Sequence, residues 1–392
     1  MSEAFKTRRV RVRAGAGYEV EVGAEVLGVV GETARRALSE HARRVALISN
    51  RRVFSLYGGR VLESLRAQGF EVADWLMGDG ERYKTLHTAE RALAFLAESK
   101  IGRADAVVAL GGGVVGDLAG FASALHLRGV SFVQVPTTLL AQIDSSVGGK
   151  TGVNTRAGKN LVGAFHHPRA VVVDIETLDS LPRRELTAGW CEAIKQGAVG
   201  DRRLFEQTRA FLSEERGEAS LRRSSRVARL INLVAAQVEF KARVVAGDER
   251  EDVGRTDARS RRILNFGHTV GHALEAATAY RRFRHGEAVG YGMLAAGEIS
   301  FRLGLLDASE LELLRQAVRL AGRLPPAADM EAASLMRWLA TDKKAVGGRV
   351  FWVLLEELGR ARVVDAADIP QRVVLASIRA ALGADRNSRR QV

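Results

Sequence analysis

The sequence predicts two domains: an α/β domain with a mostly parallel sheet over residues 1–180, followed by an all-α domain over residues 181–392. Three observations support this fold class. The 392 residues exceed one average domain. Short β-rich runs alternate with helical runs in the first half of the chain, and strands nearly vanish after Leu181.

The first half begins with RRVRVRAGAGYEVEVG, which predicts two strands. The runs RRVALISN, FEVADWLM, ADAVVAL, SFVQVP and AVVVDIETL predict further strands. Between them, runs such as TAERALAFLAESK space their apolar residues three and four positions apart, as a helix with one buried face requires. This alternation predicts a parallel sheet covered by helices, an architecture that often binds nucleotides.

The second half consists of long segments with helical periodicity. In order, they are ELTAGWCEAIKQGAV, RVARLINLVAAQVEFKARVVA, ILNFGHTVGHALEAA and EAVGYGMLAAGEISFRLG. One β-like patch, RVFWVLLEELGRARVV, interrupts them near residue 350, and the polar insert at residues 248–262 is the least helix-like stretch. This half is therefore predicted to be a helical domain.

Composition excludes several function classes. The net charge is +13, but the basic residues are scattered and aromatic residues make up only 6% of the chain, so we expect no nucleic-acid partner. No apolar run approaches the roughly 20 residues that span a bilayer, and the N-terminus lacks a signal peptide, so we expect a cytoplasmic protein without a membrane partner. Cys191 is the single cysteine, so a bound metal would need histidine and carboxylate ligands.

Lysine is scarce in this chain, with nine lysines against 50 arginines. A lysine that persists against such a bias suggests a need for a compact ammonium group. Seven of the nine lie beside a candidate site element. They are Lys84, Lys150, Lys159, Lys195, Lys241, Lys343 and Lys344.

A glycine-rich turn follows the strand ADAVVAL, where GGGVVGD occupies residues 111–117 and a helical pattern begins. Backbone N–H groups at a helix start, with glycines that permit close approach, form a diphosphate site. Gly111, Gly113 and Gly116 satisfy G-x-G-x-x-G, but the next strand ends at Thr137 and Thr138 without the acidic residue of a Rossmann fold. We therefore expect a dinucleotide in a different position, and a plain tight turn is the alternative.

Two further polar segments accompany this turn. GDGERYKT, residues 78–85, clusters Asp79, Glu81 and Lys84 after a strand. AQIDSSVGGKTGVNTRAGKNLVG is interpreted as a glycine-rich binding loop, and a solvated surface loop is the alternative. Its candidate binding residues are Asp144, Lys150, Lys159 and Asn160.

A candidate metal site lies in the helical half. Glu192 and Lys195 are three positions apart on one helix, His268 and His272 are four apart on another, and His285 follows. One carboxylate with two or three imidazoles on facing helices predicts an open zinc site. The alternative is a purely structural histidine pair.

These motifs, taken in order, resemble the 3-dehydroquinate synthase family over about residues 9–380. The most specific stretch is GGGVVGDLAGFASALHLRGVSFVQVPTTLLAQIDSSVGGKTGVN. It is continued by GKNLVGAF, ELTAGWCEAIKQG, LNFGHTVGHALEA and HGEAVGYGM. The resemblance implies an NAD-binding domain at residues 1–180, a metal- and substrate-binding helical domain at 181–392, a homodimer and a divalent metal, usually zinc, with cobalt as an alternative.

The resemblance also implies site residues. The metal ligands are Glu192, His268 and His285. The NAD contacts are Asp79, Gly80, Glu81, Arg82, Tyr83, Lys84, Gly113, Val114, Val115, Gly116, Asp117, Thr137, Thr138, Lys150, Lys159, Thr177, Leu178, Asp179 and Ser180. The substrate is bound by Arg128, Asp144, Lys150, Lys159, Asn160 and Lys343. The catalytic residues are Lys150, Lys195, Lys241, Glu251, Arg261, Asn265 and His272.

The activity implied by the resemblance is cyclisation of a phosphorylated seven-carbon keto acid. NAD takes a hydride from C5, phosphate leaves by β-elimination, the hydride returns, and an aldol step closes the ring. NAD is thus catalytic and is not consumed. His272 relays protons near the metal.

One segment departs from the family pattern. The insert at residues 248–262 is longer than usual, so Arg255, Arg259 or Arg262 are alternatives to Arg261. Two rival activities fit much of the same pattern: another sugar-phosphate cyclase, acting on sedoheptulose 7-phosphate or glucose 6-phosphate, and a metal-dependent polyol dehydrogenase. The full set of basic residues and His272 favour a substrate with phosphate and carboxylate groups.

Overall fold

A computed structural model describes residues 7–216, 223–252, 254–257, 260–345 and 350–388. The described chain forms two compact units. The first contains the described residues up to Leu181 together with residues 223–249, which include the helix Arg223–Gly247. The second contains the other described residues. The first unit is therefore discontinuous in sequence and includes a helix that follows residue 181.

The first unit is built on a seven-stranded sheet with the strand order β1-β2-β9-β6-β5-β3-β4. Only β1 and β2 pair antiparallel, and every other neighbouring pair in this sheet is parallel. All of the predicted strands of the first half are present. The strand bounds are β1 Arg8–Val12, β2 Tyr18–Gly23, β3 Arg44–Asn50, β4 Glu71–Met77, β5 Ala106–Gly111, β6 Ser131–Pro136, β7 Lys150–Thr155, β8 Gly158–Phe165, β9 Ala170–Asp174, β10 Phe351–Glu357 and β11 Arg360–Asp365.

The helices follow the predicted alternation and then the predicted helical run. Their bounds are α1 Val30–Ala37, α2 Arg51–Val53, α3 Gly59–Ala67, α4 Leu86–Glu98, α5 Gly113–Leu125, α6 Arg183–Gly200, α7 Arg202–Arg216, α8 Arg223–Gly247, α9 His268–Ala277, α10 His285–Arg302, α11 Ala308–Ala321, α12 Ala332–Ala345 and α13 Gln371–Ser388. A π-helical turn, Phe54–Gly58, joins α2 to α3. No helix in the described part of the chain is both long and apolar enough to cross a membrane.

The sheet is covered on both faces, which explains its continuous apolar strands. In β3, Val45 and Leu47 belong to the hydrophobic cluster on one face, while Ala46 and Ile48 belong to the cluster on the other. Successive strand residues point to opposite faces, so a strand with both faces covered must be apolar throughout. The parallel strands bring their carboxyl ends to one edge of the sheet, where ligands of such folds bind.

The segment interpreted as a binding loop begins with a π-helical turn, Ala141–Ser145, and continues from Lys150 as a β-hairpin, so the interpretation as a loop was wrong for the hairpin part. β7 and β8 pair antiparallel, and the apolar side chains of Val153, Val162 and Ala164 pack into the core cluster that includes α5. Gly152 and Gly163 bring the two strands together, since a Cβ on Gly152 would lie 2.7 Å from the Val162 carbonyl oxygen. These glycines permit close packing of the two strands, whereas in the sequence they were interpreted as part of a glycine-rich loop.

The second unit brings three helices into close contact. A Cβ on Gly286 of α10 would lie 2.0 Å from the Ala188 carbonyl oxygen of α6. A Cβ on Gly292 of α10 would lie 1.8 Å from the Gly267 carbonyl oxygen, which directly precedes α9. The small two-stranded sheet β10-β11 corresponds to the predicted β-like patch. Glycines therefore set the spacing of the helices that carry the candidate metal ligands.

Candidate active site

The glycine-rich turn lies where β5 ends and α5 begins. Gly112 precedes α5 and provides no side-chain acceptor for the first helical N–H groups. Added Cβ atoms would crowd their neighbours at Gly113, 3.0 Å from Ser145 Oγ, and at Gly116, 2.7 Å from Gln134 Oε1. Larger side chains would therefore crowd this turn, and the start of α5 presents its backbone N–H groups as an anion site does.

The end of β6 lies directly beside this turn. The backbone N–H of Thr137 donates to the Gly111 carbonyl oxygen at 3.0 Å. A Cβ on Gly112 would lie 2.9 Å from the Thr138 methyl carbon. Thr137 and Thr138 are therefore adjacent to the glycine turn, as expected for residues predicted to bind the same cofactor.

Lys84 connects three segments of the first unit. It is 4% exposed, and its Nζ lies 2.5 Å from Asp117 Oδ2 and 2.6 Å from Asn160 Oδ1. Desolvation raises the pKa of Asp117 above its usual value, and the neighbouring Lys84 ammonium opposes that shift. The ion pair with Asp117 joins the loop after β4 to α5, and the hydrogen bond to Asn160 joins the same loop to β8.

Asn154 adds a connection that sequence reasoning missed. Its Nδ2 donates to Glu81 Oε1 at 2.7 Å, and its Oδ1 accepts from the Asn160 N–H at 3.0 Å. Lys159 Nζ lies 4.0 Å from the same Glu81 oxygen. Pairing of β7 with β8 brings Asn154 close to Glu81 and Asn160. A correct prediction of this hairpin would have identified Asn154. We call Glu81, Lys84, Asp117, Asn154 and Asn160 the lysine group.

The other predicted cofactor residues lie around the lysine group or on the turn after β9. Asp79 accepts from Asn50 Nδ2 at 3.2 Å. Gly80 has φ 97°, which favours glycine. In the turn Ile175–Ser180, Thr177 Oγ1 accepts from Gln142. The remaining positions on these turns and on α5 are Arg82, Tyr83, Val114, Val115, Leu178, Asp179 and Ser180.

The predicted substrate residues of the first unit divide into two sets. Lys241 of α8 donates to the backbone oxygen of Asp144 at 2.5 Å and also contacts the Asp144 carboxylate. Arg128 and Lys150 have exposed side chains. Arg128 has φ 66°, a left-handed conformation that is strained for a residue with a side chain.

The candidate metal ligands converge in the second unit. The ligand atoms of His268, His272 and His285 lie within 4.8 Å of one another, which makes these three side chains a potential metal site. Glu192 Oε1 lies 3.6 Å from His285 Nε2. We call Glu192, His268, His272 and His285 the histidine group. It brings together all three predicted metal ligands and the predicted proton relay.

The buried carboxylate of Glu192 favours binding of a metal cation. Its carboxylate is fully buried, and neither oxygen has a hydrogen-bond partner among the described residues. Lys195 Nζ lies 2.5 Å from Oε2, but this ion pair lacks hydrogen-bond geometry. Desolvation and the nearby Lys195 lower the pKa of His268 well below its usual value, which keeps its ring neutral as a metal ligand must be. These donors fit zinc or cobalt.

Glu275 contacts the histidine group and was not identified from the sequence. Its Oε2 lies 3.1 Å from His285 Nδ1, and the residue is buried, with 2% of its surface exposed. His268, His272 and Glu275 occupy positions i, i+4 and i+7 of α9, which lie on one helix face. That spacing was the available signal.

The insert places its predicted residues in the second unit. Asn265 Nδ2 donates to Glu251 Oε1 at 3.1 Å, and Arg261 is 4% exposed. Among the alternatives, Arg255 pairs with Asp257 at 3.1 Å and the Arg262 guanidinium lies over the Phe351 ring. Arg259 and the side chain of Lys343 lie outside the described residues.

Sequence comparison identifies two matching domain families. The sequence model described as 3-dehydroquinate synthase N-terminal matches residues 74–188, and that described as 3-dehydroquinate synthase C-terminal matches residues 189–345. A 3-dehydroquinate synthase from Nostoc punctiforme is 41% identical over 364 residues, which cover 91% of this chain and 94% of that protein.

Two solved structures have the same fold. The 2-epi-5-epi-valiolone synthase from Streptomyces hygroscopicus, with NAD+ and Zn2+ bound, has 27% identity and a TM-score of 0.82, covering 97% of this chain and 100% of that chain. A 2-deoxy-scyllo-inosose synthase complexed with carbaglucose-6-phosphate, NAD+ and Co2+ has 26% identity and a TM-score of 0.80, covering 95% and 99%.

Proposed function

Since the chain belongs to the 3-dehydroquinate synthase family of NAD- and divalent-metal-dependent enzymes, we propose that it converts 3-deoxy-D-arabino-heptulosonate 7-phosphate into 3-dehydroquinate and phosphate. The reaction is the second step of the shikimate pathway. NAD is regenerated within each turnover. The substrate is a small phosphorylated keto acid.

The observation that carries the proposal is the histidine group. A fully buried carboxylate without a hydrogen-bond partner lies 3.6 Å from an imidazole nitrogen, beside two further histidines. Lys195 Nζ lies 2.5 Å from this carboxylate, but neither Glu192 oxygen accepts a hydrogen bond from the described residues. A buried carboxylate in that state is unfavourable, and metal ligation would satisfy its oxygens. Glu192, His268 and His285 would hold the metal in the proposed enzyme.

The bound cofactors would supply a hydride acceptor and a Lewis acid that acidifies the substrate hydroxyl. The chain's own residues bind and orient. The start of α5, with Gly113 and Gly116, would bind the NAD diphosphate, and the lysine group would hold the surrounding loops in position.

Cationic side chains would stabilise the phosphate as it leaves. Arg128, Lys150 and Lys159 of the first unit and Lys195 and Arg261 of the second are assigned to the substrate. Lys241, Lys343, Asp144, Asn160, Glu251 and Asn265 complete the proposed substrate and catalytic set. His272 has an exposed side chain within the histidine group, where an imidazole can exchange protons with substrate and solvent.

Two rival functions are weaker. Relatives named 3-dehydroquinate synthase reach 38 to 42% identity, whereas the cyclases with other names have 25 to 27%. A polyol dehydrogenase would have no use for so many candidate phosphate-binding cations. A cytoplasmic homodimer is the assembly and location that the family resemblance supports.

The proposed function is tested by incubating the protein with 3-deoxy-D-arabino-heptulosonate 7-phosphate, catalytic NAD and zinc. We expect phosphate and dehydroquinate in equal amounts, no net NADH, and loss of both products with chelator. Absence of phosphate release from folded, zinc-loaded protein would overturn the proposal. Turnover of sedoheptulose 7-phosphate or glucose 6-phosphate would indicate another cyclase, and net NADH formation with a polyol would indicate a dehydrogenase.

A further inference from the structure

His285 is held by a contact on the side of its ring opposite to Glu192. Its Nδ1 lies 3.1 Å from Glu275 Oε2, while its Nε2 lies 3.6 Å from Glu192 Oε1. An ionised carboxylate only accepts hydrogen bonds. With Glu275 ionised, the 3.1 Å contact is a hydrogen bond in which Nδ1–H donates to Oε2, and the Nε2 lone pair is then on the side of the ring that faces Glu192.

Packing fixes Glu275 itself. Its side chain is buried, and its backbone oxygen accepts from the Tyr280 N–H at 2.8 Å and from Thr278 Oγ1 at 3.2 Å. Ala279 and Tyr280 both adopt left-handed φ angles, 48° and 59°, in the turn that leads towards α10. The end of α9 is thus fastened to the turn before His285, and the carboxylate has little freedom to move away from the ring.

We propose that Glu275 is a positioning residue for the metal, because it holds His285 in the tautomer and orientation that present Nε2 as a ligand. Histidine ligands of metals commonly donate their second N–H to a carboxylate in this way, which orients the ring and raises its basicity. The inference rests on the proposed function, since it takes His285 as a metal ligand.

The test measures metal binding directly. Full-length wild type, Glu275→Ala, Glu275→Gln and His285→Ala are stripped of metal, and zinc dissociation constants are measured by competition with a chromophoric chelator. We expect Glu275→Ala to bind zinc about 10- to 100-fold more weakly than wild type. Glu275→Gln retains an acceptor for Nδ1–H, so its loss should exceed twofold but stay below that of alanine.

The matched control is Glu298→Gln. Glu298 is also a buried glutamate, at 4% exposure, and pairs with Arg315. It lies 13 residues after His285 on α10, a distance of about 20 Å along a helix. Zinc affinity should be unchanged in this variant, whereas the free energy of unfolding of the metal-free protein should fall in both glutamate variants.

Cobalt gives a second readout that a merely structural role would not change. The d–d absorption of the Co2+ protein reports ligand geometry, and we expect its intensity and position to change in Glu275→Ala and not in Glu298→Gln.

Zinc affinities of Glu275→Ala and Glu275→Gln within twofold of wild type would overturn the inference while leaving the metal site intact. If Glu275→Ala does not fold, Glu275→Gln decides by the same criterion. Unchanged zinc affinity in His285→Ala would overturn the metal assignment, and this inference with it.

Discussion

The lysine group and the histidine group balance their charges in opposite ways. In the lysine group, a buried ammonium meets a carboxylate and an amide oxygen at hydrogen-bond distance. In the histidine group, a fully buried carboxylate has no hydrogen-bond partner among the described residues, although an ammonium lies beside it. The comparison teaches that the first group is held together by its own charges, whereas the second is arranged to be completed by a cation.

Removing the metal should separate the two groups most clearly. We expect chelation to lower turnover at least about 1000-fold, equivalent to about 4 kcal/mol of lost transition-state stabilisation. NADH binding, followed by fluorescence titration, should change less than about threefold, because the lysine group does not depend on the metal. Readdition of zinc should restore turnover. A parallel loss of NADH affinity would contradict the separation.

Lys84→Met should show that the lysine group also supports the fold. It leaves Asp117 without its cation, and breaking a buried pair in this way should lower the free energy of unfolding by about 3 kcal/mol. The measurement is denaturant unfolding of protein free of nucleotide and metal. Lys159→Met is the control, since Lys159 is more exposed and 4.0 Å from Glu81; its effect should stay below about 1 kcal/mol. Equal losses in the two variants would argue against the buried pair.

Arg261→Ala tests whether the buried Arg261 guanidinium of the second unit contributes to turnover. A buried guanidinium that stabilises a leaving phosphate should be worth about 100-fold in kcat, or about 2.7 kcal/mol. Arg255 pairs with Asp257 within the insert, so Arg255→Ala should retain most turnover. The measurement is phosphate release at saturating substrate with the fold checked by circular dichroism. The reverse ranking would move the assignment to Arg255.

Gly286→Ala should disturb the helix contact beneath the histidine group. Its Cβ would lie 2.0 Å from the Ala188 carbonyl oxygen, and we expect a loss of about 2 kcal/mol in the free energy of unfolding together with weaker zinc binding. Gly59→Ala in α3 is the control, because nothing lies within 4 Å of its Cβ position. That variant should be neutral or slightly more stable. Unchanged zinc affinity in Gly286→Ala would show that this helix contact does not affect the metal site.

The smallest effect is expected for an exposed pair near the same helices. The Arg282 hydrogen bond holds the pKa of Asp329 below its usual value, so the pair stabilises the fold above the ordinary carboxylate pKa and ceases to do so as the pH falls through the lowered value. Arg282→Ala should lower the free energy of unfolding at pH 7 by less than about 1 kcal/mol. Unfolding of wild type and variant across pH checks this, and a difference that persists in acid would refute it.

The strands and most helices were predictable from the sequence because their signals are local. β3 and β5 each contain a continuous apolar run, and α4 has a regular apolar spacing. The hairpin β7-β8 was not, since its polar residues and glycines are individually typical of loops and become a hairpin only when its inner face packs against α5. Tertiary contact decided that segment.

The site was predictable in part for the same reason. The glycine turn and the histidine spacing are local patterns, and the structure brings both sets of residues together. Asn154 was missed because its partner Glu81 is 73 positions away in the sequence. Glu275 was missed because its contact is with His285 of the next helix, which the helical spacing of α9 does not report. The partnership between Lys241 and Asp144 spans 97 positions, and no local pattern reports such a contact.

The discontinuous first unit has a consequence for how the chain folds during synthesis. Its last helix, α8, packs on β1 and β2 and supplies Lys241 to Asp144. Ribosomes add roughly 5 to 20 residues per second, so α6 and α7 emerge for several seconds before α8 can complete the earlier unit. A chain ending at Leu181 would expose the surface that α8 covers, and we expect such a fragment to be prone to aggregation.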